Sequence, residues 1–258
     1  MQDLKVTLIQ TSLYWENAEA NLQQYAHLIS QLQEETHLIV LPEMFSTGFS
    51  MRAAGLAEPM DGKTMQWMRQ QAAAARAVIT GSLIIRENNH YYNRLVWMRP
   101  DGSFACYDKR HMFRMANEDQ HFTPGKSRLI VTLHGWRFCP QVCYDLRFPV
   151  WNRNRNDYDA FIIVANWPER RNFAWKHLLQ ARAIENQAYV IGVNRIGTDG
   201  NGVYHSGDSA LIDPLGEVVY TEADTPFVKT LLLSAERLHY VRTKMPFLQD
   251  ADDFEIKT

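Results

Sequence analysis

The chain predicts an α/β protein with mixed sheets, arranged as two sheets packed face to face with helices outside. Three observations carry this. Strand-helix alternation occupies the first third and returns later, hairpins interrupt it in the middle, and the strand count exceeds one open sheet. Alternation argues for parallel pairs and hairpins for antiparallel ones, so both occur together. The apolar runs number about ten to twelve, more than a single open sheet carries comfortably.

Taken in order, LKVTLIQ at 4–10 reads as a strand. Leu22, Tyr25, Ala26, Ile29 and Leu32 then fall on one face at helical spacing. HLIVLPE at 37–43 is a continuous apolar run of the kind buried on both faces. Met65, Met68, Ala72 and Ala75 mark a second helix leading into the strand VITGSLII at 78–85. YYNRLVWM and SFACYDK flank Pro100-Asp101-Gly102 and pair as a hairpin. RLIVTL and WRFCPQV flank His134-Gly135 and form a second hairpin. A helix follows Cys143, then the strand DAFIIVAN at 159–166, the helix FAWKHLLQARAIENQ and the strand AYVIGVN. A last hairpin, SALIDPLGEVVY, turns at Asp213-Pro214-Leu215-Gly216. No repeat, low-complexity tract or linker divides residues 1–258, so a single domain is expected.

Composition narrows the function classes. Hydrophobic residues make up 46%, charged residues 22% and the net charge is -2 without clustering. That gives no electrostatic reason to expect nucleic acid or an anionic membrane as partner. The opening MQDLKVTLIQ reads as a strand rather than a secretory signal, and no apolar run reaches the length of a membrane helix. Three cysteines, an odd number without framework spacing, fit a reducing cytoplasm.

Three reactive residue types stand just past predicted strand ends: Glu43 after HLIVLP, Lys109 after SFACYD and Cys143 after WRFCPQV. Ligands of open α/β sheets bind outside those carboxyl ends. Alone, each residue has a plainer reading: a loop acid, a solvated ammonium, a buried thiol. Together they meet the needs of acyl transfer from an amide to sulfur. A thiol with an ordinary pKa is only slightly ionised at neutrality, so it needs a base, and Glu43 is the candidate. The tetrahedral intermediate needs donors, for which Lys109 and the backbone N–H of Tyr144 are placed. Cys143 on a sharp strand-to-helix bend follows the logic of a nucleophile elbow. No metal or other cofactor is required, and the nine histidines show no HExxH or HxH spacing.

Other polar residues divide between pocket and scaffold. A substrate carboxylate calls for arginine, and Arg170 and Arg171 follow the strand end VANW. Trp167 is expected to wall the pocket, and Phe45 with Met44 to narrow its entrance. Arg147 is expected to anchor the helix after Cys143 through an acidic neighbour, Tyr144 and Asp145 to fix the elbow, and Glu185 and Asn186 to brace the site from behind. Asp208 reads as a turn residue and Cys106 as packing.

The motifs LPEMF, DKRHMF and VCYDLRFP, in that order, resemble those of the nitrilase (carbon–nitrogen hydrolase) superfamily. The resemblance runs almost end to end, and it implies a Glu43-Lys109-Cys143 triad with Glu118, in EDQHFTPG, orienting Lys109 and positioning substrate or water. His121 stands where that family often has an aromatic residue. The implied fold is an α-β-β-α sandwich of two mixed sheets flanked by helices. It implies pairing as a homodimer too, with about the last 15 residues a tail at the interface. CYDLRFPVWNRN, VANWPERR and GDSALIDPLGE resemble more narrowly the bacterial ω-amidases. These act on a small-molecule amide, 2-oxoglutaramate or 2-oxosuccinamate, releasing ammonia and the 2-oxo dicarboxylic acid. Three alternatives stand beside this: a nitrile, carbamoyl-amino-acid or aliphatic-amide hydrolase; a non-catalytic binding protein on the same fold; and a papain-like enzyme with His177 or His111 beside the thiol.

Overall fold

Chain order and sheet membership nearly coincide in the computed structural model, which describes residues 1–256. The first half runs β1 (Leu4–Gln10), α1 (Ala18–Ser30), β2 (Leu38–Val40), α2 (Ala53–Leu56), α3 (Lys63–Ala75), β3 (Val78–Glu87), β4 (His90–Met98), β5 (Phe104–Asp108) and α4 (Glu118–His121). The second half runs β6 (Val131–Leu133), β7 (Trp136–Val142), α5 (Pro149–Asn152), β8 (Ala160–Ala165), α6 (Asn172–Asn186) and β9 (Tyr189–Asn194). It ends with β10 (Ile196–Thr198), β11 (Tyr204–Ile212), β12 (Val218–Ala223), β13 (Phe227–Leu233) and α7 (Ala235–Lys244). The first sheet has the order β13-β1-β2-β3-β4-β5 and the second β10-β11-β9-β8-β7-β6, with β12 on β11. Both are mixed. β1, β2 and β3 are parallel, as are β7, β8 and β9, while β4, β5, β6 and β11 join antiparallel.

Side-chain alternation along the strands produces the layers. Leu38 and Val40 of β2 and Ile162 and Val164 of β8 point between the sheets, where they join Trp97, Phe138 and Val193. Ile39 faces the other way, onto Tyr25 and Ile29 of α1 and Met65 and Met68 of α3. Phe161 and Ile163 face Trp175, Leu179 and Ala183 of α6. Strands apolar on both faces are the signature of a sheet covered on both sides. A Cβ on Gly192 of β9 would stand 2.8 Å from Leu179, so glycine is what lets α6 lie this close.

Two local expectations change. HLIVLPE pairs as a strand only over Leu38–Val40. Leu41 N–H still bonds Thr80 oxygen, but Pro42 has no N–H to continue the ladder, and the chain turns away. After Cys143 the chain forms a short 3-10 turn, Cys143–Arg147, before the single turn of α5. One crossover was not anticipated: β13 leaves the second sheet and pairs antiparallel with β1. It thereby closes the edge of the first sheet with the C-terminal part of the chain.

Candidate active site

Glu43, Lys109, Cys143 and Glu118 arrive at one place from four separate loops. Three of these loops bend through the left-handed region at a residue other than glycine: Met44 (φ 42°) beside Glu43, Asn117 (φ 58°) before Glu118, and Cys143 itself (φ 45°). Such conformations are costly for ordinary side chains and persist where surrounding contacts hold them. At Cys143 that is the predicted elbow. The first N–H groups of the turn after it have no intrahelical acceptor, so the Tyr144 N–H is available to a ligand.

Lys109 is fully buried. Its Nζ lies 2.9 Å from Glu43 Oε1 and 2.9 Å from each oxygen of Glu118. Burial alone would pull its pKa down; Glu118, Glu43 and Cys143 outweigh that and raise it, so the ammonium is firmly charged. Glu118 shifts upward, because its burial and the negative Glu43 exceed the pull of Lys109. Glu118 Oε2 also accepts the Phe113 N–H at 2.6 Å. Cys143 stands well above the ordinary thiol range, through burial first and then the negative Glu43, with Lys109 only partly offsetting them. Cys143 is therefore a neutral thiol beside a carboxylate, and any attack by its sulfur requires that proton to move.

Two residues around this cluster carried no prediction. Asn93 of β4, fully buried, donates through Nδ2 to Glu43 Oε1 at 2.8 Å and to Glu118 Oε1 at 3.3 Å. Asn166, just past β8, donates its backbone N–H to Glu43 Oε2 at 2.8 Å. Their sequence signal was faint: an amide side chain inside or ending an otherwise apolar strand.

The elbow is fixed by Asp145, as expected. Its carboxylate accepts from Tyr107 Oη at 2.8 Å, Val142 N–H at 3.2 Å, His111 N–H at 2.9 Å and His111 Nδ1 at 2.7 Å. His111 thus clasps the Lys109 loop to the Cys143 loop. His177 lies on α6 stacked against Phe173. Neither histidine lines the Cys143 cavity, so neither is placed as a papain-like partner.

That cavity, of ≈ 150 Å³, is lined by Cys143, Tyr144, Asn166, Trp167, Arg170 and Arg171. Phe49, Phe113, Arg147 and His205 complete much of its wall. Two expectations are thereby corrected. Phe45 does not narrow the entrance: it is fully buried between Tyr25 and Trp67, 5.6 and 5.7 Å between ring centroids, on the floor that Gly81 leaves open. Phe49, four residues on, is the aromatic that reaches the cavity. Arg147 pairs with no acid among the described residues; its guanidinium lies 4.8 Å from the Trp167 ring in the cavity wall. The anchoring role belongs to Arg182 of α6, which donates to Leu146 oxygen through Nη2 at 2.7 Å and Nε at 3.1 Å.

Arg171 sits 4.9 Å from the Phe113 ring, and burial with the adjacent Arg170 shifts its pKa downward. Trp167 donates its indole N–H to Arg171 oxygen at 2.9 Å. The wall therefore gathers three cations held against aromatic faces or open space. None of them has an ion-pair partner among the described residues. The arrangement suits a small anionic substrate whose other end reaches the thiol. Among the described residues no group of three or more His, Cys, Asp or Glu is placed to hold a metal, and no helix is long and apolar enough to cross a membrane.

Comparison with known proteins bears on the same point. The model of the family described as carbon-nitrogen hydrolase matches residues 5–242. An Escherichia coli K12 protein named omega-amidase YafV is 47% identical over 99% of this chain and 100% of its own. A Bacillus subtilis protein named 2-oxoglutaramate amidase is 27% identical over 95% of this chain and 96% of its own. XC1258 from Xanthomonas campestris, a CN-hydrolase superfamily protein crystallised with an arsenic adduct in its active site, superposes with a TM-score of 0.98. It is 45% identical, with 100% of both chains covered. With the two-sheet sandwich and the motif order in agreement, the chain belongs to the carbon–nitrogen hydrolase family of the nitrilase superfamily, a hydrolase of carbon–nitrogen bonds other than the peptide bond.

Proposed function

We propose that the protein is an ω-amidase, hydrolysing the terminal amide of 2-oxoglutaramate or 2-oxosuccinamate to the 2-oxo dicarboxylic acid and ammonia without a cofactor. One observation carries the reading: a small cavity with a thiol at one side and, on its wall, three arginines without an ion-pair partner among the described residues. The names of the full-length relatives point the same way. The substrate carboxylate sits against Arg147, Arg170 and Arg171 beside Trp167, and its carboxamide meets Cys143. Glu43 takes the thiol proton as the C–S bond forms. The carbonyl electron pair moves onto oxygen, which Lys109 and the Tyr144 N–H hold. On collapse the C–N pair leaves with nitrogen, which takes the proton from Glu43 and departs as ammonia. A water then attacks the thioester as Glu43 accepts its proton, and the C–S bond breaks with that proton passing from Glu43 to sulfur, which returns the thiol. Glu118 keeps Lys109 in place throughout.

Ammonia release from 2-oxoglutaramate, 2-oxosuccinamate, glutamine, a carbamoyl amino acid and a nitrile tests the proposal. Either oxo acid amide should have the highest kcat/KM. Faster turnover of any of the last three refutes the assignment.

Two further features belong to this reading. The single domain pairs as a homodimer, supported by Phe173 and Ile184, 77% and 55% exposed on one face of α6, with the chain after α7 bonded to the residue that follows α6, Leu248 N–H to Gln187 Oε1 at 3.3 Å. Of that tail, residues 257–258 lie outside the described residues. A monomer at micromolar concentration by sedimentation would refute the pairing. The three cysteines are free thiols, which suits a cytoplasmic setting.

A further inference from the structure

One buried polar atom on the wall of the Cys143 cavity lacks a partner. Asn166 is 5% exposed and lines that cavity beside Cys143 and Trp167. Its side-chain Nδ2 donates to the main-chain oxygen of Glu43 at 2.5 Å, and its backbone N–H donates to Glu43 Oε2 at 2.8 Å. A main-chain oxygen only accepts, so the amide nitrogen must face it and Oδ1 must face away. Oδ1 is then left without a donor among the described residues. Asn93 Oδ1, Gln141 Oε1 and Asn152 Oδ1 are also orphaned, but none of those residues lines this cavity. A buried acceptor without a donor is a destabilised group, and one in a residue that lines a substrate site is satisfied when a substrate N–H reaches it.

We propose that Asn166 Oδ1 accepts one N–H of the substrate carboxamide and selects primary amides over analogues that lack that donor. The inference rests on Cys143 acting as the nucleophile toward a carboxamide. A carboxamide nitrogen offers two donors, whereas an ester or carboxylate oxygen offers none. Asn166 is tied to Glu43 by two hydrogen bonds, so the acceptor holding the nitrogen and the acid protonating it are positioned as one unit. As the C–N bond breaks, nitrogen keeps its electron pair and both amide hydrogens, takes the third proton from Glu43 and leaves as ammonia. The nitrogen gains positive character as that proton arrives, and its N–H becomes a stronger donor to Oδ1, so the contact tightens toward the transition state. The carboxylate of the product presents only lone pairs to the same oxygen, which favours release.

The test compares 2-oxoglutaramate with its ω-methyl ester, which yields the same thioester but has no N–H. In Asn166→Ala and Asn166→Ser, kcat/KM for the amide should fall at least about tenfold, while that for the ester falls less than about threefold. A role confined to bracing Glu43 would lower both reactions alike. An amide-to-ester ratio within about threefold of the wild-type value, in either variant that folds, overturns the proposal. The wild-type control keeps the two readings apart. If the unaltered enzyme ignores 2-oxoglutaramate but cleaves another primary amide, the ω-amidase assignment fails, and the ratio is read on that amide and its own methyl ester.

Discussion

The buried charge cluster behind Cys143, the floor of the site, and the wall of its cavity treat charge in opposite ways. On the floor, Lys109, Glu43 and Glu118 are fully buried and engage one another at 2.9 Å, with Asn93 bridging the two acids. On the wall, Arg147, Arg170 and Arg171 have no ion-pair partner among the described residues, although Asp199 lines the same cavity. The floor comes from loops of the first sheet and the wall from loops of the second. Groups that stabilise a transition state work best when already oriented and satisfied, because nothing then reorganises during the reaction. Groups that bind a substrate must keep an unmet demand until it arrives. Substitutions on the floor should therefore damage turnover and stability together, and those on the wall should damage binding alone.

The largest effect is expected at Lys109. Lys109→Met removes the cation and leaves two carboxylates facing each other in a buried site. Breaking a buried pair in this way costs about 3–5 kcal/mol of stability, and loss of an oxyanion donor lowers kcat by about 10²–10³-fold. Adding Glu118→Gln removes one of the stranded charges, so the double variant should recover part of the stability and none of the turnover. Denaturant midpoints and steady-state rates for both variants check this. A double variant no more stable than Lys109→Met would show that charge balance does not govern the floor.

The floor was legible in the sequence because its residues are reactive types at the ends of apolar runs, and strand ends are where α/β sheets place ligands. The wall was half legible. Arg170 and Arg171 follow a strand end, but Arg147 sits inside a helical-looking segment, where an arginine has many uses. Nothing local distinguishes a side chain lying over Trp167 from one bonded to Leu146 oxygen, the position Arg182 takes from far along the chain. Phe45 misled for the same reason: which of two aromatics, Phe45 or Phe49, reaches the cavity depends on the left-handed turn at Met44 and the space over Gly81. The main layers followed from periodicity, whereas the return of β13 to β1 is a long-range pairing that no local pattern encodes.

A smaller effect, and a sharper view of the contrast, is expected from the wall. Arg171→Ala should raise KM for 2-oxoglutaramate by about tenfold to a hundredfold, the worth of a charge-assisted contact, while kcat changes less than about threefold. Butyramide, which has no carboxylate, should show almost no change in KM. A fall in kcat with unchanged KM would make Arg171 part of the reaction machinery and erase the distinction between wall and floor.

The smallest effect at neutral pH is on stability, and it grows as the pH falls. His205 lies on β11, 2% exposed, against the same cavity. Burial, and then the charge of Arg195, push its pKa from 6.5 down to about 4. Arg195 is itself fully buried, its Nε bonded to Ile196 oxygen at 3.0 Å. Asp199, on the same wall, pulls the other way without outweighing burial and Arg195, so the imidazole stays neutral. In the unfolded chain His205 titrates at its ordinary value, so below pH 6.5 the unfolded state binds a proton that the folded state refuses. The stability held by the neutral ring is whole above that pH and declines as the pH falls toward 4. The loss approaches about 3 kcal/mol across that window, because one bound proton costs about 1.4 kcal/mol for each pH step. His205→Gln removes the titration, so its denaturant midpoint should drop less than the wild-type midpoint between about pH 7 and about pH 4.5. Equal drops would mean that the ring already carries its proton inside the fold, and that the wall holds one more positive charge than its geometry implies. Saturating 2-oxoglutarate should narrow the difference between the two proteins, because an anion beside the arginines makes a protonated His205 easier to accommodate.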